Sequence, residues 1–156
     1  MFSHDGRYVL TFNGEIYNYR ELREQLRARG HQFRTDSDAE VLLVAFAEWG
    51  LDCLQRLNGM FAFAIWDKQA RKLTLARDHV GIKPLYYAHI LPGPDRPGAF
   101  VFGSEIKAIL ATRLISPSLD PETLNQFLTF LWSPDPNTLF AGIKTVPPGH
   151  YLQFRR

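Results

Sequence analysis

Thr11-Phe12-Asn13-Gly14-Glu15-Ile16-Tyr17-Asn18-Tyr19 is the stretch on which the reading of this chain turns. Before it, Tyr8-Val9-Leu10-Thr11-Phe12 is rich in β-branched and aromatic residues and predicts a strand over 8–12. After it, Asn18-x-x-Glu21 has the spacing of a capping box and predicts a helix over 18–29, with Tyr19, Leu22 and Leu26 on one face. The Asn-Gly pair therefore falls where a strand ends and the chain turns toward a helix. As structure, the pair reads as a β-turn, because Asn and Gly tolerate the backbone that tight turns need. As chemistry, Asn13 offers a side-chain amide with two N–H donors, and Gly14, having no Cβ, lets a ligand come close to its backbone N–H. An amide and a backbone N–H held side by side can grip a developing oxyanion.

Working outward, Gly30 reads as the glycine that ends this helix, and His31 to Thr35 as a short strand. Ser37-x-x-Glu40 is a second capping box, opening an apolar helix through Val41, Leu42, Leu43, Phe46 and Trp49 that Gly50 closes. Leu51 to Leu57 continues as one or two helical turns. The texture then becomes β. Phe61-Ala62-Phe63-Ala64-Ile65-Trp66-Asp67 alternates large and small residues, and Lys72 to Arg77 pairs back on it as a hairpin. Pro84 to Ile90 and Ala99 to Phe102 form another strand pair across a Pro- and Gly-rich surface loop over Leu91 to Gly98. Ser104 to Ala111 is a short helix, and Asp120-Pro121 opens another that runs to about Trp132. Ser133-Pro134-Asp135-Pro136 breaks it, and His150 to Phe154 is a last strand. Strand-rich layers flanked by helices predict an α+β sandwich.

A length of 156 residues suits one domain with a substantial core. The 18 basic and 16 acidic residues leave +2, which gives no electrostatic case for nucleic acid or an anionic membrane as partner. The first ten residues hold no apolar core of a signal peptide, and no apolar run approaches a membrane span, so a cytoplasmic protein is expected. Cys53 is the one cysteine, set in the amphipathic Gly50–Leu57 stretch, and reads as a buried structural thiol rather than a nucleophile. His31, His89 and His150 lack metal-ligand spacing. Trp49, Trp66 and Trp132 read as core or interface residues. Arg77 to Pro84 reads as a hairpin-like turn with a buried Arg77–Asp78 pair, in preference to a phosphate-binding loop, since the glycine spacing of a P-loop is absent.

Asn13-Gly14-Glu15-Ile16-Tyr17-Asn18-Tyr19-Arg20-Glu21-Leu22 resembles the glutamine-site segment of class II glutamine amidotransferases, in their asparagine synthetase branch. Four further stretches agree in order: Thr35-Asp36-Ser37-Asp38-Ala39-Glu40-Val41, Leu57 to Asp67, Ala76 to Tyr87, and Gly103-Ser104-Glu105-Ile106-Lys107-Ala108. The resemblance runs from about Tyr8 to the end of the chain. It implies a four-layer αββα N-terminal-nucleophile sandwich, truncated at its amino end. It also implies a partial glutaminase domain over residues 1–133, and over 134–156 a link toward a synthetase domain that the sequence does not contain.

In that family an N-terminal cysteine attacks the glutamine amide, with its own α-amino group as base, and an arginine segment ahead of the Asn-Gly motif clamps the α-carboxylate. Here Met1-Phe2-Ser3 offers no such cysteine, and Arg7 is not in the context of the clamp. What the resemblance carries over is Asn13 and Gly14 as oxyanion donors and Asp38 as ligand of the glutamine α-ammonium. Asp38 also reads as a first-turn acid favoured by the helix dipole. Glu15 is placed either to take a second ammonium hydrogen bond or to remain solvated. The relative so implied hydrolyses glutamine to glutamate and ammonia, and uses ATP and Mg in its synthetase domain to amidate aspartate. The segment itself calls for no cofactor and is expected not to turn over glutamine alone. Its expected partners are glutamine and the synthetase domain, with a second copy of the chain as a further candidate. Two alternatives stand beside this: a synthetase-type amidotransferase with a different acceptor, and a non-catalytic module derived from the same fold. The Glu15–Tyr19 and Ser104–Ala108 stretches fit the asparagine branch better than the glucosamine-phosphate synthase or phosphoribosyl amidotransferase branches.

Overall fold

Alternation along one strand sets the layers. In the computed structural model, which describes residues 1–94 and 97–155, β2 (Gly59–Asp67) runs antiparallel between β1 (Tyr8–Ile16) and β3 (Lys72–Arg77). Phe12 lies opposite Phe63, and Ala64 opposite Leu75. Successive side chains point to opposite faces, so Phe61, Phe63 and Ile65 leave one side of the sheet while Ala62 and Ala64 leave the other.

Two helices cover the large face. α1 (Tyr19–Ala28) contributes Leu22 and Leu26, and α2 (Asp38–Trp49) contributes Val41, Leu42, Ala45 and Phe46. They pack against Leu10, Ile16, Phe61 and Phe63 in the main core. A 3₁₀ segment, Gly50–Arg56, brings Cys53 into the same core.

The small face meets a second sheet, in which β4 (Tyr86–Ile90) lies between β5 (Ala99–Gly103) and β6 (Lys144–Thr145). Ala62, Ala64 and Leu75 pack there on Leu85 and Val146. β7 (Tyr151–Arg155) pairs with β3 and completes the first sheet. Its Phe154 stacks on Phe100 of β5 at 4.8 Å between ring centroids, joining the two sheets. Beyond the second sheet, Ile109 of α3 (Ile106–Ala111) packs with Ala88, Ile90 and Ile143. α4 (Pro121–Phe130) starts at Asp120, whose carboxylate accepts from Thr123 N–H at 2.8 Å. Helix, sheet, sheet and helix are the four layers of the expected α+β sandwich. No helix among the described residues is long and apolar enough to cross a membrane.

Several local expectations are corrected. The first strand does not stop at Phe12 but runs to Ile16, paired throughout with β2 down to Gly59, so Asn13-Gly14 is strand and not a turn. The Asn18 box does not form, because the side chain is used elsewhere. Asn18 donates to the Arg56 carbonyl and accepts from Asn58 N–H, both at 2.9 Å, pinning the entry of β2 to the end of β1. His31 to Thr35 is not a strand. The Arg34 and Thr35 N–H groups go instead to the Glu40 carboxylate, at 2.9 and 2.7 Å. The expected Arg77–Asp78 pair is replaced by two separate sets of backbone bonds. Arg77 donates to the carbonyls of Gly81, Lys83 and Val146, while Asp78 accepts from the N–H groups of Phe61, Val80, Ile82 and Lys83. The stretch 134–156, expected as a link, supplies β6 to one sheet and β7 to the other. Trp132 is exposed, with Leu128, Phe130 and Leu131 beside it at the end of α4. In the loop over Leu91 to Gly98, Asp95 and Arg96 lie outside the described residues.

Candidate active site

The outer edge of β1 brings the sequence candidates together. In an antiparallel pair the backbone groups of alternate residues point toward the partner strand. Tyr17 N–H reaches the Asn58 carbonyl at the start of β2, so odd-numbered residues bond inward. Leu10 N–H reaches the Met1 carbonyl at 2.8 Å, and Ile16 N–H the Asp38 carboxylate at 3.0 Å, so even-numbered residues bond outward. By the same alternation Gly14 N–H points to the outer edge, one step before the N–H that holds Asp38.

Gly14 is required here by packing. Its φ is +151°, and an added Cβ would run into the Met60 carbonyl and lie 2.7 Å from Phe61 Cα. The space that a side chain would need is filled by β2 rather than left open to a ligand.

Asn13 and Glu15 leave the opposite face from Phe12 and Ile16, on the side of the second sheet, and both are exposed. Asn13 lies opposite Ala62 and donates through Nδ2 to Ser104 Oγ at 3.2 Å. Asp38 is the first residue of α2, where the helix dipole favours a carboxylate. One of its oxygens accepts from Ala39 N–H at 2.8 Å and the other from Ile16 N–H. The Gly14 and Ile16 N–H groups and the Asp38 carboxylate lie along this edge, while the Asn13 amide and the Glu15 carboxylate leave β1 next to it on the side of the second sheet. That set can hold an α-amino acid by its ammonium at one end and a carbonyl oxygen at the other.

Glu40 builds the approach of α2 to this edge. Its carboxylate is buried and accepts from Arg34 N–H, Thr35 N–H, Thr35 Oγ1 at 2.6 Å and His4 Nε2 at 3.0 Å. Burial pushes the carboxyl up, but the bonds from Thr35, Arg34 and His4 outweigh it and hold the group at about 2. Ser37 keeps half of its expected box, its Oγ accepting from Glu40 N–H at 3.2 Å. Asp78 plays a similar part under β2: burial raises its pKa, and four backbone N–H groups outweigh that and keep it below the usual carboxylate range.

Cys53 is fully buried, and its thiol is pushed up to about 12, by burial first and by Asp52 second. A thiol in that state is no nucleophile at neutral pH. Arg7 grips Asp67 with Nε and Nη2, the shortest contact being 2.7 Å. Asp67 is opposite Tyr8, at the far end of β1 from Asn13. The sequence reading gave Glu40 only a capping role and Asp78 only an ion pair with Arg77, and it gave Ser104 none. Glu40 and Ser104 lay within quoted motifs, but their partners are backbone groups or residues far off in sequence.

Comparisons with known proteins give the family and the fold. A family profile described as "Glutamine amidotransferase domain" matches residues 1–156. The chain belongs to the glutamine amidotransferase domain family. It is 45% identical over 150 residues to asparagine synthetase [glutamine-hydrolyzing] 3 of Bacillus subtilis, covering 96% of this chain and 24% of that protein. It is 42% identical over 153 residues to a putative asparagine synthetase [glutamine-hydrolyzing] of Mycobacterium tuberculosis, covering 96% of this chain and 22% of that protein. This amidotransferase domain thus spans about a quarter of the length of the relatives that it matches. Among solved structures it is similar to the glutamine phosphoribosylpyrophosphate amidotransferase of B. subtilis, at 29% identity and a TM-score of 0.55, covering 70% of this chain and 24% of that one. A second similar structure, described as the allosteric regulatory enzyme of purine biosynthesis, has a TM-score of 0.62 at 24% identity and covers 95% of this chain and 26% of that one. The αββα sandwich is therefore the N-terminal-nucleophile fold of the class II amidotransferases.

Proposed function

We propose that this domain binds L-glutamine along the outer edge of β1 and presents its side-chain amide for hydrolysis to glutamate and ammonia. The observation that carries the reading is the Asp38–Ile16 bond of 3.0 Å, which fixes a carboxylate beside the outward N–H of Gly14. Asp38 takes the α-ammonium, and Glu15 is placed to take a second bond from it. Asn13 Nδ2 and Gly14 N–H receive the amide oxygen and hold it more tightly as it becomes an oxyanion. In the class II scheme the nucleophile is an N-terminal cysteine, which these residues serve by holding the amide oxygen and the α-ammonium. The ammonia is then used by an ATP- and Mg-dependent synthetase domain that amidates aspartate, a reading supported by relatives named as glutamine-hydrolysing asparagine synthetases. A cytoplasmic setting fits such a biosynthetic reaction.

Calorimetric titration with L-glutamine tests the binding half. Asp38→Asn keeps the shape and removes the charge, and is expected to weaken binding by about 30- to 150-fold. The chemical half is read as ammonia release from the chain joined at its amino end to an added segment that begins with cysteine. There Asn13→Ala is expected to lower kcat by about 10²–10³-fold with only a few-fold change in KM. Unchanged glutamine affinity in Asp38→Asn, together with a KM-only effect of Asn13→Ala, overturns both assignments.

A further inference from the structure

We propose that Ser104 is a positioning residue for the Asn13 amide, reaching it from the second sheet. The inference rests on the reading of Asn13 as an oxygen-binding donor. Ser104 lies 91 positions away in sequence, just past the end of β5 and ahead of α3. Its Oγ accepts from Asn13 Nδ2 at 3.2 Å.

Asn13 has need of such a partner. The terminal torsion of an asparagine is broad, so the backbone alone leaves the amide plane loosely set. On β1 and β2 the residue directly opposite is Ala62, which has nothing with which to hold an amide. Among the described residues, Ser104 is the hydrogen-bond partner of this side chain. The nitrogen carries two N–H bonds about 120° apart. Ser104 takes one, and that fixes the direction of the other, which is left for the substrate oxygen. The Ser104–Glu105–Ile106 turn thus holds one end of the site, while Asp38, from the other side of β1, holds the ammonium end. A role of this kind acts on the carbonyl end of an amino acid and not on its α-ammonium.

That asymmetry is the test. ¹⁵N-labelled chain is titrated by NMR with L-glutamine and with L-norvaline, which has the α-ammonium and a chain of similar length but no side-chain amide. In Ser104→Ala the Asn13 Nδ2 proton pair is expected to shift in the free protein. Glutamine binding should weaken about threefold to tenfold, norvaline binding should hold, and Ser104→Thr, which keeps the hydroxyl, should restore glutamine affinity. Equal weakening of both ligands, or an unmoved Asn13 side-chain resonance, overturns the proposal by reducing Ser104 to a structural part or to none. If glutamine shifts no resonance along the β1 edge of the parent protein, the functional reading of that edge fails and this proposal fails with it. If glutamine does bind there and Ser104→Ala leaves its affinity unchanged, this proposal fails alone.

Discussion

Gly14 carries two demands that only glycine meets: a positive φ, and contact with the backbone of β2 where a Cβ would stand. Gly14→Ala must therefore push β1 and β2 apart at the centre of the site, and is expected to cost about 2–4 kcal/mol. The urea midpoint measures this, and a midpoint equal to that of the parent would show that the strands have room to spare. Cys53 answers the opposite question, whether the chain holds a hidden nucleophile. With its thiol buried and pushed up to about 12, iodoacetamide at pH 8 is expected to label it only as fast as the protein opens. Labelling of the native protein at the rate of a free thiol would reverse that reading. At this scale the sequence made Asn13, Gly14 and Cys53 visible through residue chemistry. It did not show that Asn13-Gly14 is strand, because the extension to Ile16 is imposed by pairing with Gly59–Asp67 more than forty residues on. Nor could it show Ser104 beside Asn13, since that contact exists only once two sheets have packed.

Among the elements, α2 shows how much of a helix start can be read locally and how much cannot. Ser-x-x-Glu located the start correctly, and the Ser37 half of the box forms. The Glu40 carboxylate turns away to Arg34, Thr35 and His4, and so ties down the loop that delivers Asp38. Asn18 fails in the same manner for a different reason, its amide being engaged by Arg56 and Asn58. For Asn18 a long-range demand outbids the local motif, and for Glu40 the loop just upstream does so together with the distant His4. Glu40 has a measurable consequence. Its folded pKa, about 2, lies below the ordinary 4.5, so its stabilisation is fully present above pH 4.5 and is lost as the pH falls toward 2. The shift corresponds to a contribution on the order of 3 kcal/mol at neutral pH. Glu40→Gln is expected to be less stable than the parent at pH 7 and to converge with it near pH 2. Urea unfolding at a series of pH values gives both curves. Parallel curves between pH 4.5 and 2 would mean that the carboxylate is not held as described.

For the whole molecule, strand-rich layers flanked by helices were legible in the residue pattern, and the order of the four layers came from the resemblance; β2, with large residues on one face and small ones on the other, shows why each face needs a cover. The expected division after residue 133 came from the resemblance, and residues beyond it also supply strands to both sheets. β6 is two residues long and has no periodicity to detect. What that stretch does is set by partners already in place. Residues 151–155 close the edge of β3, Phe154 stacks across to Phe100, and Ile143 and Val146 are buried in separate cores. Thr145 and the Val146 carbonyl also accept from Arg77 Nη1, at 3.1 and 2.9 Å, so the turn after β3 depends on them too. A chain ending at residue 133 would lose these contacts together and would leave β3 as a bare edge beside uncovered Leu73, Leu75 and Leu85. It is expected to lose its cooperative unfolding transition and to bind a hydrophobic dye, whereas the 156-residue chain is expected to unfold in one sigmoidal step. Circular dichroism and dye fluorescence on the two chains decide the matter. If the shorter chain kept a single transition at the same midpoint, the sandwich would be complete without β6 and β7, and the boundary that the resemblance implies would stand.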